Sequence, residues 1–212
     1  MIYEILEPDK PIRQGDIFSG IPKPSISLAQ VSVLTEENEP VAAEWEDLRK
    51  STNPITAVVG LIPVVAIVIT QDCDTVRAPD ISLCEVKTFS DVVKVDAPAN
   101  PKGWVRLIRT QAMSNLKWFY LPPDARLGFD NRRAVDFQSV LRVPRDELEN
   151  CRHLRLGRLN QVADEHFRER LGEFFRRYPY NEWYPFDKAE FDAYKAGHPQ
   201  EATTILPYDH QK

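Results

Sequence analysis

The chain has 212 residues, 42% of them hydrophobic and 28% charged. That is long enough to bury a core without disulfide or metal staples, and one main domain is expected. A formal charge of -5 argues against nucleic-acid binding through the overall field, while leaving room for a local basic patch. Three cysteines without short-spaced pairs fit reduced thiols better than an extracellular disulfide framework, so the expected compartment is the cytoplasm.

The opening stretch "MIYEILEPDKPIRQGD" lacks the basic start and apolar core of a signal peptide. Seventeen prolines against eight glycines predict strands joined by rigid turns. In "IRQGDIFSGIP", Gln14-Gly15-Asp16 forms a turn into a short strand that Pro22 and Pro24 close off. "SISLAQVSVL" reads as a half-buried strand through Ile26, Leu28, Val31 and Val33, with a slip near Ala29. Residues 35–54 form an acidic, solvated insertion with one helical turn around Trp45. The apolar run Ile55 to Thr70 is too short for a membrane span and is interrupted by Gly60 and Pro63, so it reads as two buried strands or one bent one, and no membrane partner is expected.

"ISLCEVKT" is a further strand, with Ile81 and Leu83 alternating around Cys84. "WVRLIRTQAM" is a strand or a short helix, and "LKWFYLPP" a strand. In "RAVDFQSVLRVPRDEL", Val135, Phe137, Leu141 and Val143 share one alternating face, and Pro144 introduces a short acidic helical turn. The long helix starts at the N-cap Asn160 and ends before Pro179, with Ala163, Phe167, Leu171, Phe174 and Tyr178 as its apolar stripe. The expected division is a domain over 1–178, with closing helix 160–178, followed by an aromatic extension over 179–212 that wraps the domain or meets a partner.

Chemistry concentrates in few places. Gln71, Asp72, Cys73 and Asp74 sit at the end of an apolar strand, where a sheet holds side chains rigidly against a loop. Two flanking carboxylates disfavour a thiolate, which makes Cys73 a poor nucleophile. The favoured reading is structural, with Asp72 or Asp74 accepting backbone N–H groups and Cys73 packing inward; a ligand-reading or catalytic site is the alternative. Cys73, Cys84, Cys151 and His153 have zinc-ligand chemistry but not the paired spacing of zinc sites, so no metal and no cofactor is expected. Arginines 126, 132, 133, 152, 155, 158, 168, 170, 176 and 177 surround the last strand and helix, interleaved with acids at spacings that favour ordinary surface pairs.

Three segments, "IRQGDIF", "PVVAIVIT" and "AVDFQSVLRVPRDELENCRHLRLGRL", in that order, resemble the first strand, central strand and closing strand and helix of the PemK/MazF toxins. The resemblance implies an α+β, mainly β fold: a small SH3-like barrel with a long C-terminal helix. It also implies metal-independent cleavage of single-stranded RNA. Thr88 in "VKTFS" resembles the family's strand-end threonine, and Asp16 or an arginine of the Arg132-Arg133 pair, Arg133 first, would assist. The basic residues that precede the family's central strand are replaced by "VVGLIPVV", without Arg or Lys, and a developing phosphorane charge needs a cation. The expectation is therefore a regulatory or protein-interaction module of a bacterial stress, toxin-antitoxin or defence system, with an endoribonuclease as the alternative. A protein partner or a second copy would meet the Glu36 to Asp47 loop with Trp45 and the Tyr180 to Tyr194 segment with Trp183, Tyr184 and Phe186.

Overall fold

The computed structural model describes residues 1–29, 31–93 and 117–176, together with 105, 108, 196 and 197. The chain divides into two compact units, Met1–Phe174 and Phe175–Lys212, and the architecture below is that of the first. "WVRLIRTQAM", Tyr178, Trp183, Tyr184 and Phe186 lie wholly or almost wholly outside the described residues.

Among the described residues, ten strands form two antiparallel sheets. The larger contains β1 (Tyr3–Glu4), β2 (Asp16–Ser25), β6 (Gly60–Val68), β7 (Asp80–Thr88), β8 (Trp118–Leu121), β9 (Arg133–Pro144) and β10 (Arg155–Leu159), in the order β1-β10-β2-β6-β7-β9-β8. The smaller contains β3 (Val31–Leu34) between β4 (Pro40–Ala43) and β5 (Ala57–Val58). Short helices α1 (Trp45–Leu48), α2 (Asp72–Thr75), α3 (Phe89–Val93) and α4 (Arg145–Asn150) punctuate the strands, and α5 (Gln161–Phe175) follows the last of them. The protein is thus a mainly-β α+β fold whose seven-stranded sheet curls into a half-barrel with a C-terminal helix.

The curl brings the two edge strands near each other through side chains. The Tyr3 hydroxyl of β1 donates to the Pro122 carbonyl just after β8 at 2.8 Å, and Tyr3, Leu121, Leu127 and Phe129 share one buried cluster. Burial pushes the Tyr3 phenol well above its ordinary pKa, with Asp124 adding to the effect, so it stays a donor.

Both faces of the sheet are covered, which explains why "VVAIVI" is continuous rather than alternating. Ile67, with Val65 and Ile69 against it, faces a first core that also holds Cys84, Val86 and the α5 residues Ala163, Phe167, Leu171 and Phe174. Ala66 and Val68 face a second core with Phe18, Ile21, Ile81, Leu83 and Leu148 of α4. Asn160 caps α5 as its residue type predicts, its Oδ1 accepting from the Ala163 N–H at 2.9 Å.

One expectation fails at β9. Val135 and Phe137 belong to the first core, whereas Leu141 and Val143 belong to the second. Glu85 pairs with Asp136 but its neighbour Cys84 pairs with Val140, so Phe137, Gln138 and Ser139 form a bulge. An odd number of extra residues reverses which side chains face which side.

The segment from Pro22 to Val65 departs furthest from the sequence reading. Pro22 and Pro24 do not close the strand: β2 runs past them to Ser25, paired with β6 through Pro22↔Pro63 and Pro24↔Leu61. Only Val31–Leu34 of the supposed long strand is a strand, and Ile26 and Leu28 are 70% and 63% exposed. The acidic insertion does carry its helical turn, α1, but it also supplies β4 and so is part of a sheet. The run from Ile55 is buried only from Ala66 onward; Leu61 and Ile62 are 63% and 53% exposed. Proline-bearing β2 and β6 extend as a two-stranded ribbon beyond the reach of β7, which pairs with β6 only from Val65, and none of the ribbon's residues from Pro22 to Ser25 or Gly60 to Val65 is buried.

Candidate functional site

The Gln14-Gly15-Asp16 turn is a buried junction. Gly15 has a φ of +83°, and a Cβ there would lie 2.9 Å from Asp164 Oδ1, so both backbone and space require glycine. Asp16 is wholly buried, and its carboxylate accepts from Arg155 Nη1 at 3.0 Å, Arg158 Nη2 at 3.0 Å, Arg158 Nε and the Arg13 N–H. The Arg155 side chain is only 2% exposed; Nη2 donates to the carbonyls of Glu7 and Lys10 and Nη1 also to that of Pro11, while the buried Nε has no hydrogen-bond partner. Asp16 thus holds the loop before β2 rather than facing solvent.

The Gln71 to Asp74 cluster opens α2. Asp72 Oδ1 accepts the Gln14 N–H at 2.9 Å and Oδ2 accepts from Arg168 at 2.9 Å, so Asp72 ties α2 to the turn and to α5. That matches the structural reading of Asp72. Cys73, however, is exposed rather than packed inward; Thr75 is the residue α2 buries, donating to the Asp72 carbonyl at 2.9 Å. A four-residue helix places its second residue away from the sheet once its fourth is buried. Asp74 pairs with Arg77 at the surface, and the Gln71 amide oxygen lies 3.9 Å from the Cys73 sulfur. Burial raises the Asp164 carboxyl above its usual range, with Asp72 adding and Arg168 and Arg158 opposing.

The thiols do not converge. Cys84 sits in the first core, where burial pushes its pKa to about 12, with Asp136 adding, while Cys73 is exposed and Cys151 half-buried. Among the described residues no group of three histidine, cysteine or carboxylate side chains is placed to hold a metal ion, and no helix is long and apolar enough to cross a membrane.

Thr88 and Arg133 are directly opposite each other at the end of the β7–β9 ladder, so their side chains leave the sheet on the same face. Thr88 is exposed, its Oγ1 3.2 Å from Ser90 Oγ and accepting the Asp91 N–H at 3.4 Å. The Arg133 guanidinium carbon lies 5.1 Å from the Phe129 ring centre, in cation–π contact, and its buried Nε has no hydrogen-bond partner. Asp16 pairs with arginines of β10, on the far side of β2 from β7. The arginines around α5 are mostly engaged: Arg126 with Asp124, Arg152 with Glu149, Arg168 with Asp72 and Asp164, and Arg170 with Glu173.

Sequence reading missed a charged strip on the second face. Glu85 Oε2 accepts from Lys23 Nζ and Ser139 Oγ, each at 2.7 Å, and lies 3.5 Å from Lys87 Nζ, which donates to Asp136 at 2.7 Å. Burial pushes the Glu85 carboxyl up, but the bonds from Lys23 and Ser139 and the charge of Lys87 outweigh it and hold the group below its ordinary range. The bulge in β9 is what brings Ser139 to Glu85. Glu85 and Lys87 continue the parity of Ile81 and Leu83, a visible break in an apolar row, but nothing local reveals that Lys23 and Asp136 face them.

The arm from Pro22 to Val65 stands open to solvent. No described residue of it is buried, although it contains β3, β4, β5, α1 and most of the ribbon. Val41, Val58, Leu61 and Ile62 are about half exposed or more, and Trp45 is 40% exposed in α1. No protein-family model matches the chain, and no curated protein matches it.

Proposed function

We propose that the chain is a protein-interaction module that docks through this arm, on a scaffold similar to the PemK/MazF barrel. One observation carries the reading: regular β structure spans Pro22 to Val65 with nothing in it buried among the described residues. A three-stranded sheet without an apolar layer does not recover the entropy of ordering its backbone. Val41, Val58, Leu61 and Ile62 stand exposed on both faces of these strands, and exposed apolar side chains on strands that gain no core of their own favour an interaction surface. In the setting implied by the resemblance, a bacterial stress, toxin-antitoxin or defence system, the module would hold a regulatory partner.

The paired substitution Leu61→Asp and Ile62→Asp tests this. Both side chains are solvent-exposed, so the thermal midpoint should stay within about 2 °C, equivalent to less than about 0.5 kcal/mol. A stoichiometric partner isolated with the wild-type chain from native cells should be lost from the double variant. Recovery of the same partners with both chains, or of none with either, defeats the reading.

A second reading, metal-independent cleavage of single-stranded RNA, draws on the Thr88↔Arg133 register. Against it, the Arg133 guanidinium packs over Phe129. Long single-stranded RNA incubated with the protein in EDTA should remain intact. Cleavage that Thr88→Ala and Arg133→Ala each abolish would establish the nuclease instead.

A further inference from the structure

We propose that the arm is held bent toward the second face of the large sheet by a catch, in which Lys23 of the ribbon reaches back across a hinge at Gly20 to Glu85 of β7. The catch goes beyond the docking reading, since it sets how the arm is carried whether or not a partner covers it. The strand register marks the hinge. Phe18 pairs with Ala66 and Ile21 with Val64, so Ser19 and Gly20 together oppose Val65 alone. Such a bulge bends and twists the strand that carries it, and Gly20, at a φ of +69°, takes the left-handed conformation that glycine adopts without strain. The bulge lies where lateral support ends: β10 pairs with β2 only as far as Phe18, and β7 with β6 only from Val65. A two-stranded ribbon beyond that point is marginally stable by itself and twists more strongly than a wide sheet.

Lys23 lies opposite Ile62, whereas Glu85 lies opposite Ala66, four residues further along β6 and on its other side. On a flat sheet their Cα atoms would stand about 16 Å apart, taking about 3.3 Å per residue and about 4.8 Å per strand. An extended lysine and an extended glutamate do not bridge that gap, yet Nζ and Oε2 are 2.7 Å apart. By alternation Lys23 shares a face with Ile21 and Glu85 with Leu83, and both of these belong to the second core. The ribbon therefore curls toward that face until Lys23 lies over Glu85. The carboxylate is fixed by Ser139 Oγ of the β9 bulge, which donates to the same oxygen at 2.7 Å. With side-chain exposures of 33% for Lys23 and 11% for Glu85, the pair is shielded more than an ordinary surface salt bridge. Among the described residues it is also the one side-chain hydrogen bond or ion pair that joins the arm, residues 22–65, to the rest of the chain. Without it, the angle of the arm would be left to the bulge and to Val64 and Val65 at its root.

The test uses the full chain alone. Spin labels are placed through Glu37→Cys in the exposed β3–β4 turn and Val162→Cys on the exposed side of α5, with Cys73 and Cys151 replaced by serine. The distance between the labels should be narrowly distributed when Lys23 is present. Lys23→Met, which keeps the stem and removes the charge, should at least about double the width of that distribution. It should also speed amide exchange in the ribbon by at least about tenfold, while the amides of Phe18 and Ile67 change less than about twofold. Glu85→Gln should loosen the arm in the same way, and the two substitutions together should loosen it no further than either alone. Because Lys23 is partly exposed, its variant gives the decisive comparison even if Glu85→Gln fails to fold. An unchanged distribution and unchanged ribbon exchange in Lys23→Met, or a double variant that adds the two effects, overturns the catch. No partner is present, so such a failure leaves the docking reading standing, and loss of docking leaves the catch standing.

Discussion

Replacing Asp16 with alanine should destabilise the protein by about 3–5 kcal/mol, the typical cost of removing one member of a buried ion pair. The magnitude follows from what is left behind. Arg155, 2% exposed, and Arg158, 14% exposed, would both keep their charge without the carboxylate that faces them. Arg155 also holds the carbonyls of Glu7, Lys10 and Pro11, and Arg158 that of Pro11, so the loop leading into β2 would loosen with the pair. Urea titration followed by tryptophan fluorescence measures the loss, and Asp16→Asn, which keeps the volume, should fall between wild type and alanine. A cost under about 1 kcal/mol would mean that Asp16 is solvated and free for another task, contrary to its burial.

Phe167→Ala should cost a similar amount, about 3–5 kcal/mol, by the loss of transferred apolar surface and the cavity left behind. Phe167 is fully buried at the centre of the α5 stripe, with its ring 5.3 Å from Phe119 of β8 in an edge-on contact and 5.9 Å from Phe137 of β9. The same denaturation experiment applies. The neighbouring surface variant His166→Ala, carrying no such packing, should change stability by less than about 0.5 kcal/mol. Equal effects at the two positions would show that α5 does not rest on the sheet through this stripe.

These two residues differ in how far the sequence exposed their roles. Phe167 falls on a 3.6-residue stripe with Ala163, Leu171 and Phe174, and helix periodicity is local, so both the helix and its buried face were readable. Asp16 stood out as part of a turn and, through the resemblance, as a helper in cleavage; its structural role stayed hidden because its partners Arg155 and Arg158 are about 140 positions away. The same distance problem hid the Lys23–Glu85–Lys87–Asp136 strip. At β9 the failure was of another kind: the alternation of Val135, Phe137, Leu141 and Val143 is real, but three bulged residues reverse its sense midway. In the arm, apolar residues announced β3 and β6 but overran β3 at Ile26 and Leu28 and missed β4, while their composition implied a burial that no described residue from Pro22 to Val65 shows. For the Gln71 to Asp74 cluster, the habit of aspartate to accept backbone N–H groups in turns suggested a structural Asp72 or Asp74, yet which side of a four-residue helix meets the sheet is a tertiary matter.

The central strands of the large sheet are a shared wall. Ile67 and Cys84 look into one apolar compartment, Ala66 and Leu83 into the other, and β9 crosses from the first to the second at its bulge. Neither compartment can open without removing the floor of its neighbour, so both must be gained or lost in a single cooperative event. The arm, joined to that wall at the roots of β2 and β6 and by the bond from Lys23 to Glu85, has no buried residue among those described, so its amide protons should exchange on their own schedule until something is bound to it.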